Sequence, residues 1–548
     1  MMLKAIRAVC PALLILTAAP LCAQSWKEQA VLHLEKSPNA KVHGVPIRAV
    51  TMGEGFWSPR RKVNVEISIP TLLQLLEQHG IIDNFRRLSG KKDVERKGPL
   101  YTDSDLYKWM EAAGFVLQSK DDPQLRKTFD ALAAEVLAAQ EPNGYLNTYY
   151  VDDRKTLRWS EMHRGHELYC LGHLLQAAIS YYRATGERKL LDGGINFADY
   201  LVENFGPDTK PLLAGHPEIE LALVELYRTT GERKYLDLAG YVLRGDHERL
   251  KLRERDMVYM FSGKPFTSRT ELEGHSVRAM YAASGATDYY LETGDAAYWT
   301  TLQTLWKDMV ERKMYITGGV GSRAQGEAFG EPYELPNQLA YTESCAAIGN
   351  MIWNWRLLAA TGDAKYADVM ERALYNGVNS GMSLSGSLYC YRNPLALTGN
   401  PNDKIRNEWY DTTCCPPNLE RILASLPGYL YGTSAEGVYV HLYHSSTLDW
   451  RLEDGGGVRV EQATKYPWEG AVDLSVTPDS PKEFTVFLRI PGWTSGAKVE
   501  VNGRAWPERP KPGEYLGIKR TWQRNDRVRI DFELTPQLVS SNPRVRNN

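Results

Sequence analysis

The stretch Tyr182–Leu190, with the sequence YRATGERKL, contains the pattern that decides the fold. Related phrases follow at Tyr227–Tyr235 (YRTTGERKY), Leu291–Tyr298 (LETGDAAY) and Leu358–Tyr366 (LAATGDAKY). Each phrase has a glycine that can end one helix in the left-handed conformation, followed by an acidic residue that suits the positive end of the next helix. The repeat therefore predicts a series of helical hairpins.

Helical periodicity surrounds these phrases from about Ile67 to Tyr431, where apolar residues recur at intervals of three and four with almost no alternation of period two. Hairpins that return at irregular intervals of several tens of residues can stack in an open solenoid or in a closed ring. The many aromatic residues and the export signal described below favour a closed α/α toroid. Loops at one end of such a ring line a central funnel, in which sugars often bind.

The pattern changes after Gly432 to short runs rich in β-branched residues, separated by Gly, Pro and Asp; they are 438–443 (VYVHLY), 484–490 (FTVFLRI), 499–503 (VEVNG) and 528–532 (VRIDF). Such runs predict an antiparallel β-sandwich. We therefore expect a mainly α protein, with an α/α toroid domain over residues 24–432 followed by a β-sandwich domain over residues 433–548. Because the chain stops soon after Phe532, we also expect that strands that would complete or cover this sandwich are absent.

Composition narrows the possible partners. The 548 residues are 43% apolar and 24% charged, which is an ordinary globular balance with enough length for two or three domains. Basic and acidic residues are interleaved and the formal net charge is −2, so no field of one sign is available to attract nucleic acid or an anionic membrane. We expect a neutral partner.

The first 23 residues predict a cleavable export signal. Lys4 and Arg7 precede the apolar stretch Ala8–Ala19, and polar residues follow Ala23. No other stretch approaches about 18 consecutive apolar residues, so we expect no transmembrane segment and a secreted or periplasmic protein. Cys22 leaves lipid attachment as an alternative, but Ala-Pro-Leu is a poor match to the small residues that usually precede a lipidated cysteine.

Two of the seven cysteines fall in this signal. The five that remain are an odd number in a large exported chain, which does not indicate a disulfide framework. Cys414 and Cys415 are adjacent in the run 411–418 (DTTCCPPN), where two prolines stiffen the turn that follows. A redox pair, shared ligation of a metal and burial as inert thiols are all consistent with this run. The adjacent pair is therefore a candidate site whose chemistry the spacing leaves open.

A third thiol and a carboxyl group occur together in the run 340–346 (AYTESCA), as Cys345 and Glu343, behind a predicted helix N-cap at Thr342. Three thiolates and one carboxylate suit a closed tetrahedral Zn²⁺ site. The spacing matches none of the familiar CxxC zinc patterns, so buried and unreactive cysteines stay a competing interpretation.

Glycine-rich sequence precedes this run, at 317–322 (TGGVGS) and 326–330 (GEAFG). Glu327 in the second phrase could reach a glycosidic oxygen at the mouth of a funnel, although one glutamate in a loop is usually solvated surface. His166, His216 and His275 each lie near the start of a successive hairpin. One such histidine is usually a hydrogen-bonded core or helix-start residue, but three could line one funnel.

The chain resembles the β-L-arabinofuranosidases of glycoside hydrolase family 127 and their relatives in family 146, from about Phe56 to its end. The motifs that carry the resemblance are Asp103–Trp109 (DSDLYKW), Pro142–Tyr149 (PNGYLNTY), His166–Cys170 (HELYC), Gly318–Ser322 (GGVGS), Tyr333–Asn337 (YELPN) and Cys414–Pro416 (CCP). As a set these motifs are highly specific. Family members usually continue through a further β domain, and we expect this chain to depart from them by lacking it.

The resemblance implies a six-hairpin α/α barrel followed by β-sandwich domains, and an exo-acting, retaining hydrolase that releases terminal β-L-arabinofuranose from plant glycans. It implies Zn²⁺ held by Glu343, Cys345, Cys414 and Cys415, with Cys414 also the nucleophile and Glu327 the general acid and base. It further implies that His166, His216 and His275 contact the sugar. All these positions are filled in this chain.

Three other interpretations stay open. The substrate could carry another substituted furanose, since pocket shape decides between sugars through small differences in free energy. Zinc could activate water as a Lewis acid, with the cysteines purely structural. The toroid could also bind a glycan without cleaving it.

Overall fold

The computed structural model describes residues 25–397, 399 and 405–545. The expected export signal, residues 1–23, lies outside these ranges. Within them, no helix is long and apolar enough to cross a membrane. All five cysteines of the described ranges are free thiols, in agreement with the prediction that they form no disulfide framework.

The helices of the described residues occupy the first three quarters of the chain; they are α1 Ser58–Val63, α2 Ile69–Gln78, α3 Asp83–Leu88, α4 Asp103–Ser119, α5 Pro123–Ala138, α6 Glu167–Thr185, α7 Lys189–Asn204, α8 Ile219–Thr230, α9 Arg233–Arg244, α10 His247–Leu250, α11 Glu254–Met260, α12 Ser276–Thr293, α13 Ala296–Asp308, α14 Ser344–Thr361, α15 Ala364–Arg372 and α16 Cys415–Ser425. Short π-helical segments continue α13 over Met309–Lys313 and α15 over Ala373–Val378.

The predicted hairpin turns are confirmed. Gly186, Gly231, Gly294 and Gly362 each end a helix with φ between 68° and 80°, the left-handed conformation that a side chain rarely adopts. The next helix begins within three residues of each glycine. Asp295 and Asp363 each accept a hydrogen bond from a backbone N–H of the helix that follows, so each aspartate caps that helix.

Six helices form a closed inner ring. Contacts run from α4 to α6, α8, α12, α14 and α16 in turn, and α16 packs against α4. The outer layer consists of α5, α7, α9, α13 and α15, each the second helix of a hairpin, and α2 fills the sixth position between α4 and α16. The prediction of a six-hairpin α/α toroid is therefore confirmed, with the last hairpin assembled from the two ends of the helical region.

The inner helices all run in the same direction, because the second helix of each hairpin returns the chain to the same end of the ring before the next inner helix begins. They are buried on nearly all sides, as the sixteen buried residues of α14 show. A closed ring requires inner helices that carry apolar or small residues on nearly every face. All six N-termini therefore meet at one end, around the funnel.

The described strands are β1 His43–Gly44, β2 Val50–Met52, β3 Tyr389–Cys390, β4 Arg406–Asn407, β5 Tyr431–Ser434, β6 Gly437–Val440, β7 Ser446–Arg451, β8 Gly457–Thr464, β9 Ala471–Pro478, β10 Lys482–Ile490, β11 Ala497–Val501, β12 Arg504–Ala505, β13 Glu514–Trp522 and β14 Asp526–Phe532. Two sheets, ordered β1-β5-β6-β10-β13 and β12-β11-β14-β9-β8-β7-β2, make the predicted sandwich. The pairing is antiparallel except between β6 and β10, which are parallel with Val486 opposite Val438.

The sandwich also takes strands from before the helical region, which the sequence pattern did not indicate. His43 pairs with Thr433, and Val50 pairs with Leu448. The N-terminal segment therefore covers the edge of each sheet. The domain boundaries at residues 24–432 and 433–548, and the missing C-terminal domain, stay predictions.

Candidate active site

Every predicted site residue except Glu327 lies at the N-terminal end of an inner helix. His166 and His275 are the residues before α6 and α12, and His216 stands three residues before α8. Glu343 and Cys345 flank the first residue of α14, while Cys414 and Cys415 open α16. The partial positive charge of each helix N-terminus is favourable for carboxylate and thiolate groups.

The predicted cap of α14 was wrong by one residue. Glu343 occupies the N-cap position, and Thr342 precedes it with φ of 39°. The Thr342 hydroxyl donates instead to the carbonyl of Asn393, and Asn393 returns a hydrogen bond to the Thr342 carbonyl. This pairing with the segment around β3 turns the chain sharply and directs Glu343 toward the cysteines.

Three thiols and one carboxyl group form a compact cluster. The Sγ atom of Cys345 lies 3.6 Å from that of Cys414 and 3.3 Å from that of Cys415, and the Cys414 and Cys415 sulfurs are 3.7 Å apart. Glu343 Oε1 is 3.4 Å from Cys414 Sγ and 3.6 Å from Cys415 Sγ. These four ligand atoms all lie within 4.8 Å of one another.

These separations fit a tetrahedral metal ion. Ligand sulfurs at about 2.3 Å from zinc would stand roughly 3.8 Å apart at the corners of a tetrahedron. The second carboxylate oxygen of Glu343 is buried and has no hydrogen-bond partner among the described residues. The residues therefore fit a soft divalent cation such as Zn²⁺ in number, chemical type and distance.

Burial controls the ionisation of the cluster. Burial raises the pKa of the Glu343 carboxyl and of the Cys415 thiol well above their usual ranges. Burial opposes ionisation of Cys345 too, but hydrogen bonds from the two neighbouring thiols lower its pKa to about 6. The cluster can carry one thiolate easily, whereas deprotonation of all four groups needs a compensating positive charge.

Glu327 lies outside the helices, in a short turn over Gln325–Glu327 where its own φ is 51°. His275 Nε2 approaches Glu327 Oε2 at 2.7 Å, and the Tyr341 and Tyr391 hydroxyls donate to Oε1 at 2.7 and 3.2 Å. Burial raises the pKa of Glu327, but these hydrogen bonds outweigh it and hold the pKa at about 2. The carboxylate is therefore a partly buried anion held by three donors.

The three histidines stand in a row. Ring centroids of His166 and His216 are 5.7 Å apart, and those of His216 and His275 are also 5.7 Å apart. Burial lowers the pKa of all three, to about 3 for His166, so each ring is neutral at physiological pH. Nδ1 of His166 and of His216 lies 2.9 Å from a backbone carbonyl, so Nδ1 donates and Nε2 is left as an acceptor.

One cavity of about 370 Å³, the inner cavity, joins these groups. Seven of the eight predicted site residues line it, namely His166, His216, His275, Glu327, Glu343, Cys345 and Cys414. Cys415 lies behind the wall and is fully buried. The structure thus brings all the predicted residues into one site, with Cys414 as the partly exposed member of the adjacent pair.

Sequence reasoning missed other groups in this site. Tyr341 and Tyr391 hold Glu327, and Arg278 donates to the Gly215 carbonyl at 2.6 Å beside the histidines. Tyr341 stands two residues before Glu343 in the AYTESCA run, so that run contained the signal. Tyr391 follows a two-residue strand without any distinctive pattern and could be found only in three dimensions.

Two family models and a known protein match the sequence of this chain. The catalytic-domain model of the GH127 β-L-arabinofuranosidases matches residues 49–428, and the middle-domain model of the same enzymes matches residues 437–534. The non-reducing end β-L-arabinofuranosidase of Bifidobacterium longum subsp. longum is 32% identical over 556 aligned positions, which cover 91% of this chain and 84% of that protein.

Solved structures agree with the sequence matches. A GH127 β-L-arabinofuranosidase from Geobacillus stearothermophilus T6 superposes with a TM-score of 0.87 at 39% identity, covering 91% of this chain and 84% of that one. A second GH127 β-arabinofuranosidase gives a TM-score of 0.87 at 38% identity, covering 93% and 83%. The chain described here belongs to the GH127 β-L-arabinofuranosidase family and is a glycoside hydrolase.

Proposed function

We propose that this hydrolase releases terminal β-L-arabinofuranose from the non-reducing ends of plant glycans, with Cys414 as nucleophile and Glu327 as general acid and base. The observation that carries the proposal is that both groups line the same small cavity, together with three neutral histidines. The names of the relatives supply the sugar and its position at a non-reducing end. An export signal over residues 1–23 would place this activity in the periplasm or outside the cell.

In this proposal Glu343, Cys345, Cys414 and Cys415 hold Zn²⁺. When bound, zinc supplies the positive charge that keeps the thiols of this cluster deprotonated at neutral pH. The support is the near-tetrahedral spacing of the four ligand atoms and the burial of Glu343, Cys345 and Cys415. No other group of the described residues combines three thiols in this way.

The side chains suggest a division of roles between the cysteines. Cys345 and Cys415 are almost completely buried, whereas Cys414 is partly exposed and lines the inner cavity. Cys414 also stands at the N-terminus of α16, whose positive end favours the thiolate, but the hydrogen bond with Cys345 and burial raise the pKa of the Cys414 thiol. A bound cation would offset this rise. Cys414 is therefore the thiol that can attack the anomeric carbon of a sugar in the cavity, displacing the leaving group and forming a thioglycosyl bond.

Glu327 completes the reaction as the proton donor and acceptor. Its proton goes to the departing glycosidic oxygen, and the resulting carboxylate then takes a proton from the water that attacks the anomeric carbon. This attack breaks the bond between the sugar and Cys414, which leaves as a thiolate. Two successive displacements retain the anomeric configuration. Burial by itself favours the protonated carboxyl, so a sugar that takes over the His275 hydrogen bond would raise the pKa of Glu327 toward that of a proton donor.

The test uses methyl β-L-arabinofuranoside and the α anomer, with the configuration of the released sugar followed by NMR. The unsubstituted protein should cleave only the β anomer and release the β sugar first. Cys414→Ser and Glu327→Gln should each lower kcat by about 10³-fold or more while the protein stays folded.

The outcomes separate the competing interpretations. Cys414→Ser with near-normal activity and bound zinc would favour activation of water by the metal. Cleavage of another furanoside in place of the arabinofuranoside would change the substrate. Binding of arabinose without cleavage of either anomer, unaffected by Glu327→Gln, would show a sugar-binding protein.

A further inference from the structure

A second cavity of about 450 Å³, the outer cavity, opens beside the inner one. Glu327, Tyr391 and Thr412 line both cavities, so they form the wall between them. The other residues of the outer cavity on which the inference depends are Tyr341, Arg392 and Asp411. None of these three lines the inner cavity.

The two oxygens of Glu327 face different cavities. Oε2 meets His275, which lines only the inner cavity, while Oε1 accepts from Tyr341, which lines only the outer one. A glycosidic oxygen that receives the proton of Glu327 must lie within hydrogen-bond reach of this carboxylate. The bond to be cleaved is therefore at the junction, with the sugar to be removed in the inner cavity and the leaving group in the outer one.

The chemistry of the outer cavity indicates which leaving group it takes. The side chains of Arg392 and Asp411 are exposed, and neither makes a hydrogen bond or ion pair with another described residue. A guanidinium only donates hydrogen bonds and a carboxylate only accepts them, whereas a sugar hydroxyl does both. Rings of Tyr391 and Tyr410, with centroids 5.6 Å apart, supply the apolar surface on which the C–H face of a sugar can pack.

We propose that the outer cavity is the leaving-group site of this enzyme, that it takes a second sugar unit rather than an apolar group, and that Arg392 and Asp411 determine this preference. The inference rests on the proposed function, since it assigns the other half of the same substrate. The outer cavity is larger than the inner one, which leaves room for at least one complete sugar unit.

The experiment compares two substrates that share the sugar to be removed. One is a disaccharide in which L-arabinofuranose is β-linked to a second pentose, and the other is methyl β-L-arabinofuranoside, whose leaving group is too small to reach Arg392 or Asp411. The ratio of kcat/KM for the disaccharide to kcat/KM for the methyl glycoside measures recognition of the leaving group alone. Hexyl β-L-arabinofuranoside tests an apolar group in the same place.

Asp411→Asn and Arg392→Met should each lower this ratio by roughly 10-fold to 100-fold, because each removes a hydrogen bond to a charged group. The matched controls are Glu408→Gln and Arg406→Met, which change the same residue types in the same segment without lining the outer cavity. Both controls should leave the ratio within about 2-fold of that of the unsubstituted enzyme. Arg392 pairs through its backbone with Glu343, so unchanged zinc content and melting temperature must accompany that variant.

Three results would overturn the inference. Loss of activity by the same factor on both substrates would assign Asp411 and Arg392 a structural role. A hexyl glycoside cleaved as well as the disaccharide would make the outer cavity an apolar site. If the unsubstituted enzyme releases L-arabinose from neither substrate, the proposed function fails and the leaving-group assignment fails with it, which distinguishes this outcome from the other two.

Discussion

Cys414 and Cys415 differ in what they can do although they are adjacent. Consecutive residues at the start of a helix point about 100° apart around its axis. Cys414 therefore reaches the inner cavity while Cys415 packs into the core, yet their sulfurs stay within 3.7 Å. One thiol has access to a sugar and both have access to a shared cation.

Glu327 is held by hydrogen bonds that keep it ionised, and each of them can be removed separately. The Tyr341 hydroxyl donates to Glu327 Oε1 at 2.7 Å. The general acid must be protonated for the first step, so kcat/KM falls as the pH rises through its pKa. Any change that raises the pKa of Glu327 moves this fall to higher pH.

Tyr341→Phe should raise the pKa of Glu327 by about 1 unit, because it removes one hydrogen bond to the ionised form. The alkaline limb of kcat/KM should move upward by the same amount. The measurement uses methyl β-L-arabinofuranoside, whose poor leaving group depends on the acid. Tyr333→Phe, in a neighbouring loop without contact to Glu327, is the control, and an alkaline limb that stays in place in Tyr341→Phe would contradict the assignment of the acid.

At the scale of elements, close packing of the inner helices fixes the spacing of the site. α8 follows His216 and α12 follows His275, and the two helices cross where Gly285 faces Glu220. A Cβ atom at Gly285 would lie 2.6 Å from the Cβ of Glu220 and 3.1 Å from the backbone nitrogen of Leu221. The absence of a side chain at Gly285 therefore sets the separation of the two histidine-bearing helices.

Gly285→Ala should destabilise the protein by about 1–2 kcal/mol, since overpacking costs about 1–3 kcal/mol and better helix propensity recovers up to about 1 kcal/mol. Thermal unfolding measures the effect, and KM for the arabinofuranoside should rise because the histidine rings move apart. Gly194→Ala in α7 is the matched control. Its Cβ would approach only the end of the Leu175 side chain, so this variant should be neutral or more stable.

At the scale of the whole molecule, one buried ionic group joins the toroid to the sandwich. Arg489 on β10 is fully buried and lies 2.6 Å from Asp368 and 2.5 Å from Glu371, both on α15. Glu371 also accepts from the Tyr466 hydroxyl at 2.8 Å and from the Trp493 indole at 3.1 Å. Five polar side chains of the two regions thus satisfy one another across the interface.

Arg489→Met should destabilise the protein by about 3–5 kcal/mol, because it leaves Glu371 as a buried charge without its cation. A lower midpoint of thermal unfolding checks this expectation. Arg529→Met, which removes two exposed ion pairs from the same sandwich, should leave the midpoint nearly unchanged. Equal midpoints in the two variants would mean that Arg489 does not hold the regions together.

Much of this architecture could be predicted from local patterns. A left-handed helix end favours glycine, which has no Cβ, so the four hairpin turns were visible at Gly186, Gly231, Gly294 and Gly362. The change from a period near 3.6 to a period of 2 likewise showed where the strands begin. The candidate ligands and Glu327 were found as residue types in motifs that resemble one family.

The remaining features depend on contacts between distant segments. Glu343 and Cys345 stand about 70 residues from Cys414 and Cys415, and only the packing of α14 against α16 brings their side chains together. The Thr342 cap failed because Asn393, from outside the helix, takes its hydroxyl. The strands at His43 and Val50 are too short to produce a pattern of their own.

The sequence by itself therefore determined the hairpins and the sandwich, because turn conformation and side-chain periodicity are properties of a few neighbouring residues, and its motifs named the candidate site residues. Only the tertiary structure decided that the ring closes from α16 to α4 and gathers six helix N-termini around one cavity. It also decided that Cys414 and not Cys415 reaches that cavity, and that a second cavity meets it at Glu327. These features follow from the burial of side chains that are far apart in sequence, and no local pattern encodes that burial.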